Sequence, residues 1–460
     1  MKLTALVLAC SVAVAAADVR LPAYTRKVLP NGIVLDVIPR SEVPLVSFRV
    51  LIRGGVESDP VELPGLAEIT AEALRRGTAK RTASQFSEEL DALGATLTAT
   101  VDMQSTGIGA EFLAKDFQKG LELLYDTVMS PAFPEAEVAK VLKQSSDALR
   151  SVKDNPRVAV AEYFRNFYFG SKHPYGRPAD ETTVARINRA AIVDYHKKMY
   201  TGRNLILVVA GDIDAARASE AVSKVFGAVP AGSAWQWQKA ETPKPAGARM
   251  AIVHKADATE TQFRIGLPGL DRADPDRVPL WVVNTFLGGR FTSLLNEALR
   301  VNSGLSYGAN STFDQDHLQG RITVSTFTST DNTVKGIDMA LDVLKKYAES
   351  GLNAEQLAST KAYIKGTYPA DRLETADQIA TAVGTIELFN LNKGDVDDLF
   401  SRIDAVTVEQ ANQTIRKYLK PENLTFLLLG NADEMPADVR KYAAKPVRIS
   451  VSDPGLRVIQ

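Results

Sequence analysis

The chain has 460 residues, of which 45% are hydrophobic and 24% are charged. These proportions are typical of globular proteins, and the length exceeds what one ordinary core holds, so we expect roughly two to four domains. With 54 basic and 55 acidic residues, the net charge is −1. This balance argues against a nucleic-acid partner, because phosphate binding requires clustered Lys and Arg.

The N-terminus has the pattern of a secretory signal peptide. Lys2 precedes an apolar run over residues 3–14, and three alanines end at Ala17. Because the run is shorter than the ~20 residues of a membrane span, we expect cleavage after Ala17, a periplasmic location and no membrane partner. A short membrane anchor is the alternative. The only cysteine, Cys10, falls in this segment, so we expect no disulfide in the mature chain.

Strand and helix patterns are mixed in the first part of the mature chain. Asn31 and Gly32 predict a tight turn between strands. Strands are predicted over residues 33–38 and 45–51, an antiparallel pair over 95–112, and helices over 64–76, 84–93, 134–152 and 157–169. Because no βαβ rhythm repeats, the mixture indicates an α+β fold.

Two segments far apart in the chain share one pattern. In each, a helix ending in Tyr leads to a strand that begins with Asn-Leu and ends with Gly, over residues 204–211 and 423–430. Such continuous apolar runs are typical of strands buried in a sheet. A stretch containing Pro, Gly and two Trp lies between them and has the composition of a linker. We therefore predict two similar halves, residues 18–235 and 249–460, joined by a linker over 236–248.

The stretch Gly-Leu-Ala-Glu-Ile-Thr-Ala-Glu over residues 65–72 is the most informative motif. Its apolar positions share one helical face, and Glu68 and Glu72 fall on the other. An inverted zincin site needs two His at i and i+4, with a Glu just before the second His. Glu68, Ala71 and Glu72 occupy those three positions. The chain has only four His, and no two of them lie three or four residues apart.

This helix resembles the zinc helix of the pitrilysin or insulinase family of metallopeptidases, with the zinc chemistry removed. The Gly-Thr that follows at 77–78, the His-Pro-Tyr-Gly-Arg-Pro loop at 173–178 and the two strand endings also resemble that family. The resemblance covers nearly the whole mature chain. It implies two α/β-sandwich halves like those of mitochondrial processing peptidase, and no metal or cofactor on this chain.

A third carboxylate extends the comparison of the zinc helix. The family's third zinc ligand is a Glu on a later helix, and the family register places Asp147 there. Glu68, Glu72 and Asp147 would then form a remnant site whose oxygen ligands suit calcium, magnesium or manganese. We favour a solvated helix surface instead, since Glu72 and Arg76 are spaced i, i+4 for an ion pair. Hydrolysis by a metal at this remnant is disfavoured because Ala71 cannot act as a base.

A second motif, Arg-Val-Asn-Ser-Gly-Leu-Ser-Tyr, places Arg300 seven residues before Tyr307. Spacing alone favours a structural pair, an Arg capping a helix end beside a half-buried Tyr. The stretch also resembles the family's second-half signature, in which an Arg and a Tyr reach across to the zinc site of the other half. That resemblance implies that Tyr307 donates its hydroxyl to the scissile carbonyl oxygen and that Arg300 anchors the substrate. His173, in its Pro-Tyr-Gly turn, is expected to be a structural residue making one hydrogen bond.

The resemblance therefore implies the zinc-less subunit of a secreted heterodimeric metallopeptidase. Its partner would be a zinc-bearing paralogous subunit, and its substrates would be unfolded peptides that add as a strand to a sheet edge. The zinc would belong to the partner, and this chain alone would be inactive. The alternative function is a non-catalytic peptide-binding or scaffold protein of the same fold.

Overall fold

The computed structural model describes residues 19–458, so the predicted signal peptide lies outside the described residues. The strands of the first half are β1 (Thr25–Val28), β2 (Val34–Pro39), β3 (Leu45–Arg53), β4 (Thr96–Val101), β5 (Ser105–Leu113) and β6 (Leu205–Gly211). Those of the second half are β7 (Arg249–His254), β8 (Glu260–Pro268), β9 (Ala309–Phe313), β10 (Arg321–Ser329), β11 (Thr425–Gly430) and β12 (Val447–Ser450).

The α-helices follow the predicted spans closely where predictions were made. The first eight are α1 (Leu66–Ala73), α2 (Ala83–Ala92), α3 (Phe117–Met129), α4 (Glu135–Val152), α5 (Pro156–Phe169), α6 (Glu181–Val184), α7 (Arg189–Met199) and α8 (Ala215–Phe226). The others are α9 (Arg277–Asn284), α10 (Leu294–Asn296), α11 (Thr333–Ser350), α12 (Ala354–Arg372), α13 (Ala376–Leu388), α14 (Gly394–Asp397), α15 (Leu399–Ala405) and α16 (Val408–Tyr418).

The strands form two six-stranded sheets that share one plan. Their orders are β1-β2-β6-β3-β5-β4 and β12-β7-β11-β8-β10-β9. In each sheet a central strand, β6 or β11, runs parallel to one neighbour and antiparallel to the other. Every residue of β6 and β11 is buried, as their continuous apolar runs predicted. The prediction of two similar α+β halves is confirmed.

Each half packs one of its helices on the sheet of the other half. From the second half, α13 packs on β3 and β6, and from the first half, α5 packs on β8 and β11. Glycine permits both close approaches. A Cβ at Gly384 of α13 would lie 2.9 Å from Cδ1 of Leu51, and one at Gly266 of β8 would lie 2.7 Å from Cζ of Phe164. Each sheet is therefore covered on one face by a helix of the other half, which the sequence analysis did not predict.

The segment between Phe226 and Arg249 contains no helix or strand in this described part of the chain. This segment nevertheless contacts both halves. The indole of Trp237 lies 4.9 Å from the ring of His317, and the backbone N–H of Gln238 donates to Glu57 at 2.6 Å. The exact division of the chain at residues 235 and 249 remains a prediction. Within residues 19–458, none of the helices combines the length and apolar character of a membrane span.

Candidate functional site

The altered zinc motif lies on α1, whose start is fixed by one buried carboxylate. Asp59 accepts hydrogen bonds from the backbone N–H groups of Gly65 and Ala67, each at 2.7 Å. Burial raises the pKa of Asp59 to about 7, and these two hydrogen bonds oppose the rise. Gly65 adopts φ +96°, and a Cβ there would lie 2.9 Å from Cβ of Ala179. The helix is therefore shorter than the predicted 64–76, because the chain turns at Gly65 and leaves the helix after Ala73.

The faces of α1 are those that the sequence predicted. Its apolar face is buried, and Ala71, at the position of the family's catalytic base, is buried as well. Glu68 is exposed, yet surrounding protein still raises its pKa, chiefly by desolvation, with Glu162 adding to the effect and Arg165 opposing it.

The donor set on α1 does not fit the family's zinc. Glu72 pairs with Arg76 at 2.5 Å, which confirms the predicted i, i+4 pair, and Asp147 pairs with Lys143 at 2.5 Å. Within residues 19–458, no group of three or more His, Cys, Asp or Glu is arranged to hold a metal ion, so Glu68, Glu72 and Asp147 do not form the alternative remnant site. Glu68 and Glu72 offer no neutral imidazole to a zinc ion. The salt-bridged surface is the correct interpretation of this face.

Arg300 and Tyr307 are brought into direct contact in the second half. The guanidinium carbon of Arg300 lies 4.5 Å from the ring centroid of Tyr307 and 4.8 Å from that of Phe291. The tyrosine ring is 74% exposed and Phe291 is 65% exposed. Neither the Arg300 nor the Tyr307 side chain makes a hydrogen bond or ion pair with another described residue. The arrangement expected from spacing alone, a helix-capping Arg beside a half-buried Tyr, is therefore not observed.

The loop that carries Tyr307 is held by short-range hydrogen bonds. Arg300 lies in a π-helical turn, Glu297–Asn302, and the chain then reverses at Gly304, which has φ +64°. Gly308 N–H donates to Oγ of Ser306 at 3.1 Å, and Oγ1 of Thr326 in β10 lies 2.9 Å from the same oxygen. The loop thus presents the Tyr307 ring to solvent immediately before β9 starts.

This arrangement fixes a cation while leaving its hydrogen bonds free. A guanidinium over an aromatic ring is attracted by the ring quadrupole, and this contact occupies none of its five N–H groups with an acceptor. Arg300 can therefore donate to a carbonyl or carboxylate, and Tyr307 can donate its hydroxyl. The second ring, Phe291, was not predicted as part of the site, although it lies only nine residues before Arg300 in the sequence.

His173 has the structural role expected of it. Its Nδ1 accepts from the backbone N–H of Tyr175 at 3.1 Å, and its ring stacks on Phe169 with centroids 4.8 Å apart. Burial lowers its pKa to about 4, so the imidazole is neutral near pH 7. The prediction of one hydrogen bond is confirmed.

Comparison with known proteins assigns the family. Residues 37–178 match the family described as "Insulinase (Peptidase family M16)", and residues 186–364 match "Peptidase M16 inactive domain". The chain therefore belongs to the insulinase family, peptidase family M16.

The chain is similar to bacterial relatives over most of its length. A protein of Mycobacterium leprae named "Uncharacterized zinc protease" is 25% identical over 399 residues, 86% of this chain and 89% of that protein. A Bacillus subtilis protein, also named a zinc protease, is 24% identical over 412 residues, 88% of this chain and 98% of that protein.

Solved structures share the fold. The peptidase M16 inactive domain from Pseudomonas fluorescens has a TM-score of 0.82 at 22% identity, covering 89% of this chain and 98% of that chain. A protease from Helicobacter pylori has a TM-score of 0.82 at 20% identity, covering 89% of this chain and 100% of that chain.

Proposed function

We propose that this chain is the zinc-less subunit of a secreted heterodimeric metallopeptidase, to which it contributes Arg300 and Tyr307. The observation that carries the proposal is the contact between these two residues, both without other hydrogen-bonding partners and both available to a peptide. Membership of a peptidase family supports peptides as the substrate class.

The two halves of the chain differ in what they offer to catalysis. On α1, Glu68, Ala71 and Glu72 provide neither zinc ligands nor a base. Around Arg300 and Tyr307, an anchored cation and an exposed phenol are available. A polypeptide with the second set but not the first requires a metal-bearing partner, and the zinc-bearing paralogue expected from the sequence is the simplest one.

In this proposal each residue has a defined task. Arg300, held between two rings, donates to carbonyl groups of the bound peptide and fixes its position. Tyr307 donates its hydroxyl to the scissile carbonyl oxygen, which gains negative charge as the carbonyl is attacked. The zinc and the general base belong to the partner. Residues 1–17 support secretion of the chain to the periplasm, where the pair would meet unfolded peptides.

The test is reconstitution with a paralogue from the same genome that retains the His-x-x-Glu-His helix. Cleavage of an unstructured casein substrate is measured for this chain, for the paralogue and for their mixture, after co-purification has established whether they associate. We expect the mixture to cleave faster than either protein alone. A mixture no more active than the paralogue would overturn the proposal and favour the scaffold function.

A further inference from the structure

A cavity of about 510 Å³ lies beside the Arg300–Tyr307 pair, and we call it the arginine cavity. Phe291, which stacks on Arg300, also lines this cavity, as does Gly308, the residue after Tyr307. Three arginines line it, Arg157, Arg264 and Arg290, and no acidic residue of the described chain is among its lining. A peptide held by Tyr307 would therefore extend along a strongly cationic wall.

The floor of the arginine cavity is the face of the second sheet that α5 covers only in part. Strand register places Arg264 of β8 beside Ser325 of β10, and Ser325 beside Asn310 of β9. Because residues paired across antiparallel strands share a sheet face, these three side chains form one polar row. Arg157, near the start of α5, adds a guanidinium from the first half. Both halves of the chain therefore build the cavity.

Arg264 has no counterion. Its side chain makes no hydrogen bond or ion pair with any residue that the structure describes, and burial, together with the nearby charge of Arg321, lowers its pKa to about 10. Arg264 is half-buried, and a partly desolvated guanidinium is stabilised when an anion pairs with it. A carboxylate that entered the cavity would supply two acceptor oxygens in the geometry that a guanidinium prefers.

The two other arginines are held by aromatic rings and partly satisfied. The guanidinium carbon of Arg157 lies 4.1 Å from the ring centroid of Phe327, and its nearest carboxylate is Glu260 at 3.9 Å. Arg290 donates to Oγ of Ser359 at 3.3 Å. Like Arg300, these cations are positioned before a ligand arrives, so binding would cost little side-chain ordering.

The cavity reaches the residue next to Tyr307. Strand β9 is the last strand of its sheet, but its outer edge is covered: the backbone N–H of Ala309 donates to Asn296 at 3.4 Å, and the side-chain amide of Asn284 donates to the C=O of Ser311 at 3.0 Å. The open space therefore lies over the sheet face, where Gly308 and Asn310 line the cavity. A peptide held at Tyr307 would place its side chains or its end within reach of Arg264 by entering this cavity.

We propose that the arginine cavity binds a carboxylate of the peptide held at Tyr307, so that the chain selects acidic peptides. This inference rests on the proposed function and adds the substrate class. The carboxylate is either an Asp or Glu side chain a few residues from the scissile bond or the free C-terminus of the peptide. Both sources offer the same bidentate acceptor to Arg264.

The test uses the isolated chain and three N-acetylated extended peptides in calorimetric titrations. One peptide has an internal Glu and an amidated end, one has Gln there and a free carboxyl end, and one has Gln and an amidated end. We expect one or both acidic peptides to bind about tenfold more tightly than the neutral peptide. Which of the two binds identifies the source of the carboxylate. Equal affinity for all three peptides would overturn the inference.

Variants separate the cavity from general charge effects. Arg264→Gln should abolish the preference for the acidic peptides, and Arg157→Gln, at a more exposed position, should reduce it. Arg416→Gln, an exposed arginine of α16, is the matched control and should preserve it. If the preference survives both Arg264→Gln and Arg157→Gln in folded proteins, the cavity is not the binding site.

The outcome is distinguishable from that of the proposed function. Acidic preference without any gain in cleavage on adding the zinc-bearing paralogue would sustain the cavity and overturn the subunit role. Cleavage by the mixture with no acidic preference in the isolated chain would support the subunit role and overturn the proposal for the cavity.

Discussion

Arg49 in β3 of the first half donates two hydrogen bonds to the carboxylate of Asp377 in α13 of the second half, at 2.6 and 2.8 Å. This contact is one of several that join α13 to the sheet of the other half. Arg26 in β1 makes a similar bidentate pair with Glu387 near the other end of α13. The helix is therefore fixed at both ends to a sheet from which it is distant in sequence.

The packing of helices across the halves predicts that neither half folds alone. Expressed separately, residues 18–235 and 249–460 would each expose a sheet face and an apolar helix surface that the other half normally buries. We expect each fragment to unfold without a cooperative transition and to bind the dye ANS, and co-expression to restore a cooperative species. Cooperative unfolding of either isolated fragment, measured by calorimetry, would contradict this prediction.

Asp36 predicts a pH dependence of stability. Both of its carboxyl oxygens are buried in β2 without a hydrogen-bond partner. Burial, reinforced by Glu387 and opposed by Arg26, raises its pKa from 3.8 to about 7. Between pH 3.8 and about pH 7 the folded state retains a proton that the unfolded state has lost. The free energy of unfolding therefore falls as the pH rises through this range, and it stays lower above it.

Replacement of this carboxyl by an amide removes the titration. Asp36→Asn should unfold at a higher temperature than the wild type at about pH 8, and the advantage should shrink towards about pH 4. Asp91→Asn, at an exposed position of α2, is the matched control and should show no such trend. A pH-independent difference in Tm for Asp36→Asn would show that Asp36 does not titrate in this range.

Glu57 connects the segment between the halves to both of them. It is fully buried, accepts from the backbone N–H of Gln238 and lies 2.7 Å from Nε2 of His317. Removing its charge leaves these donors poorly satisfied, so Glu57→Gln should lower the free energy of unfolding by about 1–3 kcal/mol. Glu62→Gln, at an exposed position nearby, should change it little. Equal denaturation midpoints of the two variants would exclude a role for Glu57 at the junction.

The charged face of α1 is predicted to bind no metal ion. The pair of Glu72 and Arg76 is partly exposed and is worth about 0.2–0.5 kcal/mol. Glu68→Gln and Glu72→Gln should each leave stability nearly unchanged, and the wild type and both variants should contain no stoichiometric zinc by mass spectrometry after dialysis against it. Bound zinc in the wild type that is lost in either variant would contradict the assignment.

Local patterns predicted the elements of the fold but not how they pair. The apolar runs of β6 and β11 indicated buried strands, and the ends of α4 and α5 were predicted to within a residue. Helical periodicity shows that a face is buried, but it does not show which sheet buries it. The packing of α5 on β11 and of α13 on β6 is a long-range property, and only the glycines at 266 and 384 hinted at close approaches.

The candidate site was likewise predicted in part. The family resemblance singled out Arg300 and Tyr307, whose side chains are in contact, whereas spacing alone favoured a capping Arg beside a half-buried Tyr. The contact of Arg300 with the ring of Phe291 was not predicted. The three carboxylates of the remnant are not brought together among the described residues, and Asp147 pairs with Lys143, one helical turn before it. Arg264 drew no attention, since a single Arg in a strand gives no sign that its counterion is missing.

The most direct test of the central claim is the turnover of the mixed peptidase with Tyr307→Phe. This variant removes only the hydroxyl and retains the ring that supports Arg300, so association with the zinc-bearing paralogue should be unchanged. We expect the turnover number to fall by about 10²–10³, the usual loss for one oxyanion donor. Tyr125→Phe in α3, the matched control, should retain full activity. Unchanged turnover in Tyr307→Phe would contradict the account.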